Sequence, residues 1–116
     1  MKKANKGNEN YLERIPMKKN GLEWTRDETG VVTLNIKNEG FFNRIAQKFF
    51  KKPQISYVHL DENGSFIWPI IDGEKSIVDI GVEVKKKFGN AAEPLYPRLA
   101  EFFRILESYG FIEWRT

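Results

Sequence analysis

The chain of 116 residues contains no cysteine and a single histidine, His59. Without cysteine it cannot form disulfides, iron–sulfur clusters, thiolate zinc sites or a thiol nucleophile. One imidazole leaves mainly carboxylates for a metal site, and no spacing among them resembles a calcium loop. The glycines are isolated, without the Gly-rich turn of a nucleotide site. We therefore expect no metal and no other cofactor, and the missing disulfides favour a cytoplasmic protein.

Long apolar runs are missing as well. No segment approaches the roughly 20 consecutive apolar residues that cross a bilayer, so we expect no stable membrane insertion. The net charge of +3 is a small excess. It permits contact with nucleic acid, an anionic surface or an acidic peptide and selects none of them.

The first residues are polar and rich in lysine, and they predict a flexible N-terminal segment over residues 1–20. A short apolar patch at Tyr11, Leu12 and Ile15 could dock on the rest of the protein. The remaining residues, 21–116, predict one folded domain, since this length suits a single modest core.

Alternation of apolar and polar residues begins at Leu22 and predicts a β-hairpin. The turn signal Asp27-Glu28-Thr29-Gly30 separates the two strands and predicts a four-residue loop. The second strand places three apolar residues on one face: Val32, Leu34 and Ile36.

Helical spacing over residues 40–53 predicts an extra amphipathic helix, inserted between the second and third strands. Its apolar positions are Phe42, Ile45, Ala46 and Phe49, and lysines and one arginine occupy its other faces. We expect the phenylalanines to cover one edge of the core. Attachment to a membrane surface through Phe42 and Phe49 is the alternative.

Residues 55–60 predict a third strand, with Tyr57 and His59 on the same face. The segment that follows has two interpretations. Asn63-Gly64 is a hairpin signal that would start a fourth strand. Asp61 is equally suited to cap a helix that ends at Gly73. The residues alone leave both open.

Two longer helices are predicted in the last part of the chain. The first begins at a capping box formed by Ser76 and Asp79 and ends at Gly89. The second begins near Pro94 and ends at Gly110, a residue suited to a left-handed cap. Its inward-facing apolar residues are Leu95, Leu99, Phe102, Phe103 and Leu106. A short terminal strand follows, containing Phe111, Ile112 and Trp114.

The titratable cluster His59, Asp61 and Glu62 suggests an active site at first sight. A triad requires a nucleophile and an orienting group around the base, and a histidine in mid-strand is more often a packing or hydrogen-bonding residue. Acids at a helix start are favoured by capping and by the helix dipole. We expect no catalytic residue and no enzyme activity.

Three helices followed by a strand is also the order of a winged helix-turn-helix, so nucleic-acid binding is an alternative function. The candidate recognition helix carries Arg98 and Arg104 against Glu101 and Glu107. This balance is neutral, whereas a DNA reader concentrates positive charge. We therefore expect no nucleic-acid partner.

The run SYVHLDENGSFIWPIIDGEKSIVDIGVEVKKKFG, followed by LAEFFRILESYGFIEW, resembles the PqqD family of pyrroloquinoline quinone biosynthesis protein D. The matching pattern includes a strand that ends at Leu60, the Asp72-Gly73 turn, Phe88-Gly89 and Gly110-Phe111-Ile112-Glu113. The resemblance implies an α+β fold: a three-stranded antiparallel sheet followed by a three-helix, winged-helix-like bundle. It therefore favours the helix after Asp61.

The resemblance also implies a role. Family members bind the leader segment of a precursor peptide and present it to a modifying enzyme, often a radical S-adenosylmethionine enzyme. In that mode the leader adds as a strand to the edge of the third strand and lies in a groove against the last helix. The peptide-binding residues implied here are Ile55, Ser56, Tyr57, Val58, His59 and Leu60 on the strand, and Leu95, Arg98, Leu99, Phe102 and Leu106 on the helix.

Residues 40–53 depart from the family pattern, because its simplest members connect the second and third strands by a short segment. The inserted helix could extend the peptide site, cover it or dock a partner enzyme. The Tyr11–Ile15 segment could also occupy the strand edge in cis. The sequence names neither the peptide nor the product nor the enzyme.

Overall fold

The computed structural model describes residues 11–37 and 55–116, and the predicted helix over 40–53 lies outside them. The described chain has an α+β fold with antiparallel sheets. Of the described residues, 21–37 and 55–65 form one compact unit, here the sheet unit; 11–20 and 66–116 form the other, here the helical unit. The strands are β1 Pro16–Lys18, β2 Glu23–Arg26, β3 Val32–Lys37, β4 Ile55–His59 and β5 Ile112–Trp114. The α-helices are α1 Glu62–Ile70, α2 Ile77–Phe88 and α3 Leu95–Ser108, with a 3-10 turn at Gly89–Ala92.

The predicted hairpin forms, with Trp24 of β2 opposite Leu34 of β3. Five residues, 27–31, separate the two strands, one more than predicted, and the Asp27 N–H donates to the Val31 carbonyl oxygen at 3.1 Å across this turn. The Asp27 carboxylate also accepts the backbone N–H groups of Thr29 and Val31. Gly30 has a φ of 92°, a conformation that suits glycine. The aspartate and the glycine therefore define the turn.

The third strand of the sheet unit is β4, antiparallel to β3 with His59 opposite Thr33 and Val58 opposite Leu34. The strand order is β2, β3, β4. Val32 and Leu34 are fully buried on one face. The polar side chains of Thr33 and Asn35 lie on the other face, as the period of two in the sequence predicts.

The segment after β4 is helical, which is the interpretation that the family resemblance favoured. Oδ1 of Asp61 accepts the N–H of Gly64 at 2.8 Å, so Asp61 caps the first turn of α1. Pro69 lies next to the last residue of the helix, and Gly73 follows with a φ of 77°. Asn63 and Gly64 belong to the first helical turn instead of a hairpin.

Helices α2 and α3 end as their sequence signals predict. Ser76 and Asp79 form a reciprocal capping box at the start of α2. At the end of α3, the Phe111 N–H donates to the Leu106 carbonyl at 2.9 Å and the Gly110 N–H donates to the Glu107 carbonyl at 3.0 Å. These two bonds, with a φ of 78° at Gly110, make a Schellman motif.

Gly81 of α2 packs tightly against side chains of α3. A Cβ built on this residue would lie 2.8 Å from Cδ1 of Leu99, which is itself buried. Real Cβ atoms do not approach carbon so closely, so the packing of these helices requires a glycine here. Sequence reasoning did not predict this requirement, because Gly81 lies within an otherwise ordinary amphipathic helix.

A second sheet in the helical unit was not predicted: β1 pairs antiparallel with β5, with Pro16 opposite Trp114. Two flanking bonds extend it, from the Lys19 N–H to the Phe111 carbonyl and from the Arg115 N–H to the Ile15 carbonyl. Strands of three residues are too short for alternation to be visible in a sequence. The sheet ties residues 16–18, assigned above to the flexible segment, to the C-terminal strand.

Tyr11 is buried in the helical unit and lies among aromatic and cationic groups. Its ring meets the Trp114 ring edge-on at 5.4 Å, and the Arg104 guanidinium lies 4.8 Å from its centroid. Burial, with the Glu107 carboxylate nearby, raises the pKa of Tyr11 to about 12. The apolar patch of the N-terminal region therefore packs within this unit.

Candidate peptide-binding strand

The strand half of the candidate site is the outer edge of β4. In the part of the chain that the structure describes, β4 pairs with β3 alone. An edge strand carries backbone N–H and C=O groups that no neighbouring strand uses, and these can pair with an added strand.

The register of the sheet identifies which backbone groups of β4 point outward. The Leu60 N–H donates to the Val32 carbonyl at 2.9 Å, so residues 60 and 32 form a hydrogen-bonded pair. Such pairs alternate with non-hydrogen-bonded ones in an antiparallel ladder. Residues 58 and 56 therefore direct their backbone groups toward β3, and Tyr57 and His59 direct theirs toward the open edge.

The other side of β3 gives the same phase independently. The bond from the Asp27 N–H to the Val31 carbonyl makes residues 27 and 31 a hydrogen-bonded pair. Counting along the register, Thr33 and Asn35 use their backbone groups toward β2. The backbone groups of Val32 and Leu34 therefore point toward β4, in agreement with the bond between Leu60 and Val32.

Ser65 holds the end of this ladder. Its hydroxyl accepts the Val32 N–H at 2.8 Å and donates to the Leu60 carbonyl at 3.1 Å, so it replaces the second backbone bond of that pair. The residue is only 7% exposed, which makes both bonds hard to replace by water. Ser65 thus links the first turns of α1 to the ladder that fixes β4. Sequence reasoning missed it, because a serine at a helix start looks like an ordinary polar residue.

The exposed face at the edge of β4 presents Tyr57 and His59. Tyr57 is 60% exposed, and His59 is exposed as well. Nδ1 of His59 lies 2.7 Å from Oγ1 of Thr33, its partner across the ladder, so the hydroxyl fixes the orientation of the ring. Thr33 is a second residue that sequence reasoning did not single out. Aligning the second and third predicted strands in register would have placed Thr33 opposite His59 and so identified it.

Val58 and Leu60 lie half-buried on the opposite face of the sheet. Ile55 and Ser56 contribute to the strand through their backbone, opposite Lys37 and Ile36. The predicted strand residues thus share one continuous edge, and within it only alternate residues offer their backbone outward.

The helix half of the predicted site is different in character. Leu95, Leu99 and Leu106 are buried in the core of the helical unit. Arg98 is exposed, and its Nη1 donates to the Ala91 carbonyl at 3.0 Å. Phe102 is half-buried and meets the Phe103 ring edge-on at 5.3 Å. Of this group, Arg98 and Phe102 therefore have side-chain surface in reach of solvent.

A cleft of about 680 Å³ lies along α3, within the helical unit. Its lining comprises Leu12, Tyr96, Pro97, Ala100, Glu101, Arg104, Ile105 and Ser108. None of the helix residues predicted to contact a peptide is among them. Leu12, which the sequence suggested as a docking residue, forms part of its wall.

Two aspartates of the segment that follows β4 in the sequence, Asp61 and Asp72, are occupied by local structure. Asp61 caps α1, and Asp72 accepts the backbone N–H groups of Glu74 and Lys75. Hydrogen bonds from Lys75, foremost its side chain, hold the pKa of Asp72 well below its usual range. Among residues 11–37 and 55–116 there is no group of three or more metal-binding side chains. No helix in the same stretches is long and apolar enough to cross a membrane.

No described contact favours the nucleic-acid alternative. On α3, the guanidinium of Arg104 lies over the Tyr11 ring and that of Arg98 donates to carbonyls of its own chain. Both arginines are therefore engaged within the helical unit.

Comparison with known proteins agrees with this picture. The family model of coenzyme PQQ synthesis protein D (PqqD) matches residues 30–112, which include β3, β4 and all three α-helices. Searches of curated proteins and of solved structures found no match. The family match covers most of the chain and the edge strand described above. The chain belongs to the PqqD family.

Proposed function

We propose that this protein is a non-catalytic accessory protein that binds the leader of a ribosomally made precursor peptide and presents it to a modifying enzyme. The open edge of β4 is the observation that carries the proposal. Its outward backbone groups at Tyr57 and His59 suit the addition of an extended peptide as a fourth strand. Family membership supports a peptide-binding role in coenzyme PQQ or related peptide-derived biosynthesis.

The proposal has a division of labour. The main chain of β4 supplies affinity, since strand addition forms several backbone hydrogen bonds without regard to sequence. Exposed side chains supply selectivity, with Tyr57 and His59 on the strand and Arg98 and Phe102 on the helix as the residues to test. The proposal includes the winged-helix-like arrangement of the helices that the family resemblance implies. The partner enzyme, in this proposal, is of the radical S-adenosylmethionine kind.

Calorimetric titration with the precursor peptide encoded beside the gene tests the proposal. We expect saturable binding, together with shifted amide resonances for residues 55–60. A flat titration and unshifted β4 amides would reject it. Duplex DNA at low salt serves as the comparison ligand, because strong salt-dependent binding would instead support the nucleic-acid alternative.

A parity experiment tests strand addition itself. Peptide residues paired with Tyr57 and His59 must use their N–H groups, and the residues between them direct theirs away. N-methylation of the peptide residues paired with Tyr57 and His59 should therefore abolish binding. N-methylation of the residues between them should leave binding intact. Equal loss of binding for the two sets of N-methylated peptides would show that the peptide does not bind as an added strand.

A further inference from the structure

We infer that His59, oriented by Thr33, selects peptides with an acidic side chain at the position paired with it. The inference rests on the proposed function, since it assigns the chemistry of the peptide that adds to β4. It concerns a specificity-determining residue, and its observations are the register of the sheet and one hydrogen bond.

The register places the incoming side chain beside the imidazole. Because the backbone groups of His59 face the open edge, a peptide residue pairs directly with it. Side chains of directly paired residues lie on the same face of a sheet, with Cβ atoms about 5 Å apart. The imidazole would thus lie between Thr33 on one side and the peptide side chain on the other.

The hydrogen bond decides which ring nitrogen meets the peptide. Nδ1 is 2.7 Å from Oγ1 of Thr33, so Nε2 is the nitrogen that remains for a ligand. A hydroxyl both donates and accepts. It can therefore serve a neutral ring that carries its proton on Nε2, and equally a protonated ring with protons on both nitrogens. In both of these states Nε2–H is a donor and can bind an acid, whereas the remaining tautomer, with its proton on Nδ1, leaves Nε2 as an acceptor.

A carboxylate is the side chain that best uses such a donor, because the protonated ring adds charge attraction to the hydrogen bond. A lysine in that place would meet repulsion from the same state. Among the described strands no acid shares this row, since His59 lies beside Thr33 and Thr25. Glu23 lies in the next row, with Asn35 and Tyr57.

Tyr57 adds a second requirement two residues away on the peptide. Its ring is 60% exposed at the same edge and on the same face. An apolar or aromatic residue paired with it would cover that ring, the kind of cross-strand contact that stabilises sheets. The expected ligand is therefore an extended peptide with an acid and an apolar residue two positions apart.

A display library of random linear peptides is the probe, selected on the full chain and on a His59→Gln variant. We expect selected peptides to shift the amides of Tyr57 and His59 and to carry an acid at one fixed position. Replacing that acid by its amide should weaken binding to the parent protein about threefold to fivefold, the size of a cross-strand charged pair. The His59→Gln variant keeps the main chain of β4 and can still bind the peptides. We expect its ratio of affinities for the acid and the amide peptide to be near one.

Thr33 provides the matched controls. Thr33→Ser keeps the hydroxyl and should keep the preference for acid over amide, whereas Thr33→Val keeps the shape and should lose most of it. A role of Thr33 in stability alone would not change this ratio. If peptides bind β4 with no acid preference, or if His59→Gln keeps it, the inference is wrong and the proposed function stands. If no peptide binds β4, both are wrong.

Discussion

The strand half and the helix half of the predicted peptide site use their residues in opposite ways. At the edge of β4, Tyr57 and His59 are exposed and their backbone groups point outward. On α3, three of the five predicted residues are buried in the helical unit: Leu95, Leu99 and Leu106. An edge strand can bind through its main chain while its side chains stay in solvent. An amphipathic helix packs its apolar side chains into the core of its own protein, so few of them remain to contact a ligand.

Leu99→Ala should give the largest change in stability among the substitutions that test this contrast. Truncation of a buried leucine leaves a cavity and should lower the free energy of unfolding by about 2–5 kcal/mol. Urea titration of both proteins measures it. Phe102→Ala is the matched control on the same helix, and its loss should be clearly smaller because the ring is half-buried. Equal losses would place Phe102 in the core as well and would break the comparison.

Gly81→Ala tests the close approach of α2 and α3 that surrounds Leu99. The new Cβ would overlap Cδ1 of Leu99, and overpacking costs about 1–3 kcal/mol. The higher helix propensity of alanine offsets up to about 1 kcal/mol of this loss. Thermal and urea unfolding should therefore show a net destabilisation. Val82→Ala, one residue along and 47% exposed, should change stability little.

Ser65→Ala tests how the strand edge is held. It would leave the buried Val32 N–H without its acceptor, which costs about 1–3 kcal/mol. We also expect faster hydrogen exchange at Val32 and Leu60. Ser108→Ala is the control, since that hydroxyl also donates to a backbone carbonyl at 2.8 Å but is exposed. Similar stability losses for the two serines would contradict the role assigned to Ser65.

Alkaline pH probes the buried aromatic cluster of the helical unit. The pKa of Tyr11 is about 12 in the fold, against about 10 in an unfolded chain. Above pH 10 the unfolded chain loses this proton first, so the free energy of unfolding should fall between pH 10 and pH 12. Phenolate absorbance should show one late-titrating tyrosine that is missing in Tyr11→Phe. Titration of that group near pH 10 in the parent protein would refute the prediction.

The smallest effects on stability belong to the exposed strand face. Tyr57→Thr and His59→Gln should each change the free energy of unfolding by no more than about 0.5 kcal/mol, as surface substitutions usually do. Titration with the precursor peptide should nevertheless weaken for both. A variant that destabilises the fold while leaving peptide binding intact would reverse the contrast between the two halves.

Much of the local structure was readable in the sequence. The alternation around Val32 and Leu34 fixed the hairpin, and the cap residues Ser76 and Gly110 fixed the ends of the long helices. Each of these signals acts over three to five residues, where covalent geometry and local hydrogen bonds dominate. The choice between helix and hairpin after Asp61 was open on such signals, because both outcomes satisfy the same residues.

The parts that were missed depend on contacts between distant residues. The pairing of β1 with β5 joins opposite ends of the chain, and a three-residue strand has no pattern of its own. Gly81 and Ser65 matter only because Leu99 and Val32 lie against them. Residue type and periodicity state what a side chain can do. They do not state which neighbour it meets.

By itself the sequence determined the α+β class, the helix caps, the lack of any cysteine chemistry and the resemblance to the PqqD family. Tertiary structure alone decided which of the candidate residues face outward. The phase of the β3–β4 ladder turns the backbone of Tyr57 and His59 to the open edge, and core packing buries the leucines of α3. The reason is physical: hydrogen-bond phase and burial are properties of pairs of elements, and they exist only after those elements have met.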